Sequence, residues 1–78
     1  MTPHFALSEL HAGDRVRVAS VGGDATLVQR LAEFGLFEGE EIEFIGVAPL
    51  GDPIEIRIGE TRLSLRKVEA AFVLVTPL

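Results

Sequence analysis

The chain has 78 residues, 47% of them hydrophobic, and a formal net charge of −5. That length holds one compact core and excludes a second domain, so residues 1–78 are expected to form a single unit whose apolar content favours folding over disorder. The lack of any cysteine excludes disulfides, thiolate metal sites, iron–sulfur ligation and cysteine nucleophiles together, and the acidic balance opposes the basic footprint that nucleic acid or anionic lipid demands.

A short turn is expected at Ser8 to His11, ended by Gly13, before a strand at Arg15 to Ala19 in which Arg15 and Arg17 alternate with Val16 and Val18. Asp24 can accept from the free amides of a helix at about residues 25–34, where Leu27, Val28, Leu31 and Phe34 share one stripe while Gln29, Arg30 and Glu33 face water. Gly35 stops that helix, because a left-handed cap position suits a residue without Cβ. Strict alternation returns in Glu41 to Ile45 and again in Ile54 to Ile58, as in half-buried antiparallel strands. Between them, Ala48-Pro49-Leu50-Gly51-Asp52-Pro53 contains two prolines without backbone donors and must leave the ladder as a loop. Leu50 at its tip has two readings, an apolar side chain offered to a partner or a lid folded back on the barrel end. Gly59 then stands at the first central position of a two-residue hairpin loop, and Thr61 to Leu65 returns with Leu63 and Leu65 inward. A last turn is expected at Lys67 to Ala70, followed by a strand at Phe72 to Thr76 that is apolar on both faces. Five strands with one inserted helix predict a mainly β fold, a small, partly open barrel.

The apolar run Ala70 to Val75 is about a third of a bilayer span, and Met1-Thr2-Pro3-His4 lacks the basic and apolar regions of a signal peptide. Cytoplasmic residence without membrane insertion is therefore expected. No catalytic constellation is visible: Ser8, Ser20 and Ser64 stand in no nucleophile elbow and in no recognisable relation to a histidine. Glu41, Glu43 and Glu55 alternate with apolar residues as on a solvated sheet face. Val21-Gly22-Gly23-Asp24 leads into a helix but lacks the lysine and hydroxyl of a phosphate loop, and Asp24 would repel an anion at the amides it caps. Arg15, Arg17 and Arg57 would serve an acidic partner if they converged, but Glu43 and Glu55 on neighbouring strands offset them. His4 and His11 do not supply the four converging ligands of a structural metal site. They are expected to bind no metal in the monomer and at most to share a weak intermolecular site with a neighbour's carboxylates. No cofactor is expected.

Four segments carry a likeness to a known family: Leu7-Ser8-Glu9-Leu10-x-x-Gly13-Asp14, Arg30-Leu31-x-x-Phe34-Gly35-Leu36-x-x-Gly39, Ala48-Pro49-Leu50-Gly51-Asp52-Pro53, and Leu65-Arg66-Lys67-x-Glu69-Ala70. In this order, from Leu7 to Val75, the chain resembles the ferrous iron transport protein A family. Glu38 departs from the pattern, which often has proline before the glycine at Gly39. The resemblance implies an SH3-like barrel with turns at Gly13, Gly35, Gly39 and Gly59. It implies a non-catalytic role beside the large membrane iron permease, whose cytoplasmic GTP-binding part is the expected partner, with Pro49, Leu50, Gly51, Asp52 and Pro53 the candidate contact. A more distant likeness to the SH3-like C-terminal domain of iron-dependent repressors implies the alternative, a stand-alone metal- or peptide-sensing module. The proline-peptide groove of signalling SH3 domains is not expected, since the chain has no Trp or Tyr. Self-association into a weak homodimer stays open.

Overall fold

Alternation of apolar and polar residues places Val16 and Val18, Ile42 and Phe44, and Ile54, Ile56 and Ile58 on one side of their strands. In the computed structural model, which describes residues 3–78, all seven are buried in a shared cluster. The strands are β1 (Phe5–Ala6), β2 (Arg15–Val21), β3 (Glu41–Val47), β4 (Ile54–Ile58), β5 (Thr61–Leu65) and β6 (Val73–Pro77); the helices are α1 (Ala25–Glu33) and α2 (Lys67–Ala70). They form one antiparallel sheet in the order β1-β6-β2-β3-β4-β5.

The count of strands corrects the sequence reading. A sixth, β1, pairs Phe5 with Val75 and Ala6 with Leu74; two residues are too few to show alternation, so the pairing is set by β6. The turn expected at Ser8 to His11 is a 3-10 turn at Leu7–Glu9, which buries Leu7. Helix α1 ends at Glu33, with Phe34 as its C-cap. The last strand begins at Val73, burying Val73 and Val75 while Leu74 faces outward. Register shifts between Val18 and Ser20 and between Phe44 and Gly46 add the local twist that lets a sheet curl.

Both ends of α1 are fixed by local chemistry. Asp24 Oδ1 accepts the Leu27 N–H at 2.8 Å, satisfying one amide the helix leaves unpaired. At the other end the Gly35 N–H bonds to the Ala32 carbonyl at 3.0 Å and the Leu36 N–H to the Leu31 carbonyl at 2.9 Å. This is the Schellman pattern, with Gly35 at φ +93° and an apolar contact between the helix's last turn and the residue beyond it. Leu31 and Leu36 are both fully buried. Of the expected helical stripe only Leu31 is fully buried; Leu27 is half-buried against the core, Val28 is half-buried, and Phe34 is 51% exposed. Phe34 lies where the chain leaves the helix, so its ring remains outside the core.

Candidate functional site

The loop after β3 is built as a turn that displays its tip. The Gly51 N–H bonds to the Ala48 carbonyl at 2.7 Å, and the Ala48 N–H to the Pro53 carbonyl at 2.9 Å. Pro49 thus occupies the second position of a four-residue turn, where its fixed φ is preorganised, and Gly51 the fourth. Leu50, at the third, is 96% exposed, so it forms no lid over the barrel. Asp52 ties the loop to the rest of the molecule: its Oδ1 accepts the Lys67 N–H at 3.0 Å, at the start of α2. The Asp52–Pro53 peptide is cis. The five loop residues Pro49 to Pro53 therefore stand together on a braced turn, with an apolar side chain in solvent. Val68, on the helix that Asp52 holds, is exposed as well.

Charge around this loop is unevenly matched. On the sheet, Arg17 pairs with Glu41 at 2.8 Å, Arg57 with Glu43, and Arg62 with Glu55 at 3.5 Å. Exposed pairs of this kind contribute about 0–1 kcal/mol each, but they cancel the basic face that Arg15, Arg17 and Arg57 would otherwise make. Glu69 is held more firmly. It turns back to accept the Arg66 N–H at 3.0 Å and also accepts from the Arg30 guanidinium across the gap between α1 and α2. The backbone bond, above all, lowers its carboxyl from the ordinary carboxylate value; burial opposes it, and the hydrogen bond and charge of Arg30, with the charge of Arg66, add to the lowering. Neither the Arg66 guanidinium nor the Lys67 ammonium forms an ion pair among the described residues.

The histidines do not converge. His4 is exposed, and the His11 side chain is 90% exposed with Nδ1 4.0 Å from Asp14 Oδ2. The Asp14 carboxylate is instead engaged by the His11 backbone N–H at 2.8 Å. Among the described residues no three His, Cys, Asp or Glu side chains gather as metal ligands would. The turn glycines Gly13, Gly39 and Gly59 have φ of +94°, +95° and +60°. Gly23 and Gly51 share this conformation without having been expected as turn glycines, although each sits in a Gly- or Pro-rich break that is the signal for it.

A second feature escaped sequence reasoning altogether. A groove of about 350 Å³ runs between α1, α2 and β5, floored by Leu31, Leu63 and Leu65 and walled by Phe34 and Pro53. Its members come from four separate stretches of chain, so no periodicity announces it.

The FeoA domain family model matches residues 5–77. The chain belongs to the FeoA family. Among curated proteins it is 40% identical over 65 residues to an Fe(2+) transport protein A/Fe(2+) transporter FeoB fusion protein of Porphyromonas gingivalis, covering 83% of this chain and 8% of that protein. The domain thus spans only a small fraction of that relative's length. Among solved structures, the FeoA protein of Chlorobium tepidum matches at 40% identity with a TM-score of 0.90, over 95% of this chain and 70% of that one. FeoA of Stenotrophomonas maltophilia, solved with zinc and described as an SH3 domain protein, matches at 35% identity and a TM-score of 0.78, over 91% and 88%. The fold is accordingly SH3-like, as the sequence motifs imply. A manganese-dependent transcriptional repressor matches with a TM-score of 0.90 at 19% identity, over 100% of this chain and 44% of that one, a likeness of fold alone. No helix among the described residues is long and apolar enough to cross a membrane.

Proposed function

We propose that this chain is a single, non-catalytic accessory domain of ferrous iron uptake that works in the cytoplasm by docking on the cytoplasmic part of the membrane iron permease. The observation that carries this reading is the relative in which a matching domain and an Fe(2+) transporter are parts of one polypeptide. Domains joined covalently in one protein act at high effective concentration on each other, which favours a direct contact between them. The loop Pro49 to Pro53 supplies such a contact. Leu50 is exposed, and its turn is braced by Pro49, the Gly51–Ala48 bond and the Asp52–Lys67 bond, so little conformational entropy is lost on binding. Burying Leu50 against a partner is worth about 1.5–3 kcal/mol, on the order of a ten- to hundredfold change in affinity.

The test is a binding measurement between this purified chain and the permease's GTP-binding domain, with Leu50→Asp beside the wild type. The variant is expected to lose most of the binding while its melting midpoint and circular dichroism spectrum stay unchanged, because the side chain touches no core. Full binding by Leu50→Asp removes the loop from the interface, and absence of binding by the wild type removes the docking reading itself.

A further inference from the structure

The two edges of the sheet differ. β1 is an edge of two residues, too short to template another strand, whereas β5 is an edge of five residues whose pairing with β4 runs without a register shift. Its alternation can be followed from the hairpin. A two-residue turn makes Ile58 and Thr61 a hydrogen-bonded pair, so Ile56–Leu63 and Ile54–Leu65 are hydrogen-bonded as well. The N–H and C=O groups of Arg62 and Ser64 therefore point away from β4. Among the described residues no turn, loop or side-chain hydrogen bond reaches them. Proteins usually blunt such an edge with charge, proline, a bulge or a covering loop; β5 has no proline and no bulge, and its one charged residue is Arg62.

What lies beside that edge sets the chemistry of an occupant. The groove between α1, α2 and β5 opens along Ser64 and Leu65, with Leu31, Phe34, Leu63 and Pro53 as apolar lining. Its volume, about 350 Å³, is at the small end for ligand sites and suits side chains projecting from an added strand. The charged side chains that line it are Arg30, Arg66 and Glu69. Glu69 pairs with Arg30, and the Arg66 guanidinium forms no ion pair among the described residues.

We propose that the free edge of β5 takes an extended, acidic strand of the partner by backbone pairing at Arg62 and Ser64. An apolar side chain of that strand sits in the groove, and a carboxylate of the strand faces Arg66. Main-chain pairing gives such a mode its affinity and the groove its specificity. The identity of the partner as the permease rests on the docking reading above; the strand-accepting edge does not.

The probe is an acetylated peptide of roughly eight residues, a common strand length, in which glutamate alternates with valine, titrated into the isotope-labelled chain. The Arg62 and Ser64 amide signals and those of Phe34 and Leu63 are expected to shift. N-methylation of alternate peptide amides, or lysine in place of glutamate, should weaken binding by about tenfold or more. Ser64→Pro removes an N–H that β4 does not use and should abolish peptide binding with the spectrum otherwise intact; should it perturb the fold, Arg66→Glu replaces it, with the same loss expected. Peptide binding without binding of the permease's GTP-binding domain supports the strand site and defeats the docking reading. Permease binding that Leu50→Asp weakens and Ser64→Pro leaves intact, with no peptide shifts, overturns the strand site and spares the docking reading. A wild-type dimer in sedimentation that Ser64→Pro dissociates also overturns the proposal, by assigning the edge to a second copy of this chain.

Discussion

Replacing Gly35 by alanine tests the local argument on which helix α1 rests. Gly35 sits at φ +93°, well beyond the centre of the left-handed region, where an L-residue pays roughly 1–2 kcal/mol. Space is not the obstacle, since a Cβ there would meet only Ile58 Cγ2 at 3.8 Å, an ordinary contact. Loss of glycine also stiffens the unfolded chain, which returns about 0.4–1 kcal/mol. The difference leaves a destabilisation of about 1 kcal/mol, or a melting shift of about 4–8 °C for a domain of this size. Equilibrium urea unfolding reads it as a lowered midpoint with an unchanged slope. Two companions calibrate the result. Gly46→Ala, at a position outside the left-handed region with nothing within 4 Å of the added carbon, should stay within about 0.5 kcal/mol of wild type. Gly23→Ala combines φ +92° with contacts of 2.9 Å to Leu27 Cδ2 and 3.4 Å to the Phe72 ring, and should cost more than Gly35→Ala. A Gly35→Ala midpoint equal to that of Gly46→Ala would refute the C-cap reasoning.

Glu69 makes stability depend on acid. Its carboxyl is depressed by the Arg66 N–H and by Arg30, so its contribution is complete above the ordinary carboxylate value and fades as pH falls through Glu69's own lower one; Glu69→Gln should lower the urea midpoint at neutral pH and flatten its acid dependence. Phe44, 1% exposed at the centre of the core, should cost about 3–5 kcal/mol as Phe44→Ala, enough to leave the variant largely unfolded by circular dichroism at moderate temperature if total stability is at the low end for 78 residues. Titration calorimetry with Zn²⁺ or Fe²⁺ should give no binding at micromolar affinity or tighter, since His11 has only Asp14 beside it; such binding, abolished by His11→Ala, would favour the metal-sensing alternative.

Most of the fold was legible where the physics is local. Ile54-Glu55-Ile56-Arg57-Ile58 has a period of two that no helix accommodates, and all three isoleucines are buried. The hairpin at Gly59, the Asp24 cap and the Gly35 stop each depend on one or two residues with special backbone or side-chain chemistry, and each stands where its signal stood. What escaped depends on partners distant in sequence. β1 exists because β6 is beside it, and Phe34, read as core from its place on the helical stripe, became the wall of a groove. The loop was legible as a loop, but not the direction of Leu50. Proline and glycine on either side of a leucine define a turn; only the bond between Asp52 and Lys67, fifteen residues apart, fixes how that turn is braced.

The pairing of Phe5 with Val75 brings the two ends of the described chain to one edge of the sheet. The free edge of β5 lies five strand spacings away, on the order of 24 Å along the curved surface. A tether attached at either end would leave the molecule from the same place. Such a layout tolerates being leashed to a larger protein, or being cut free of one, without rearranging the face that would meet it. It also makes the domain a ready candidate for circular permutation, with the old ends joined across β1 and β6 and new ones opened elsewhere.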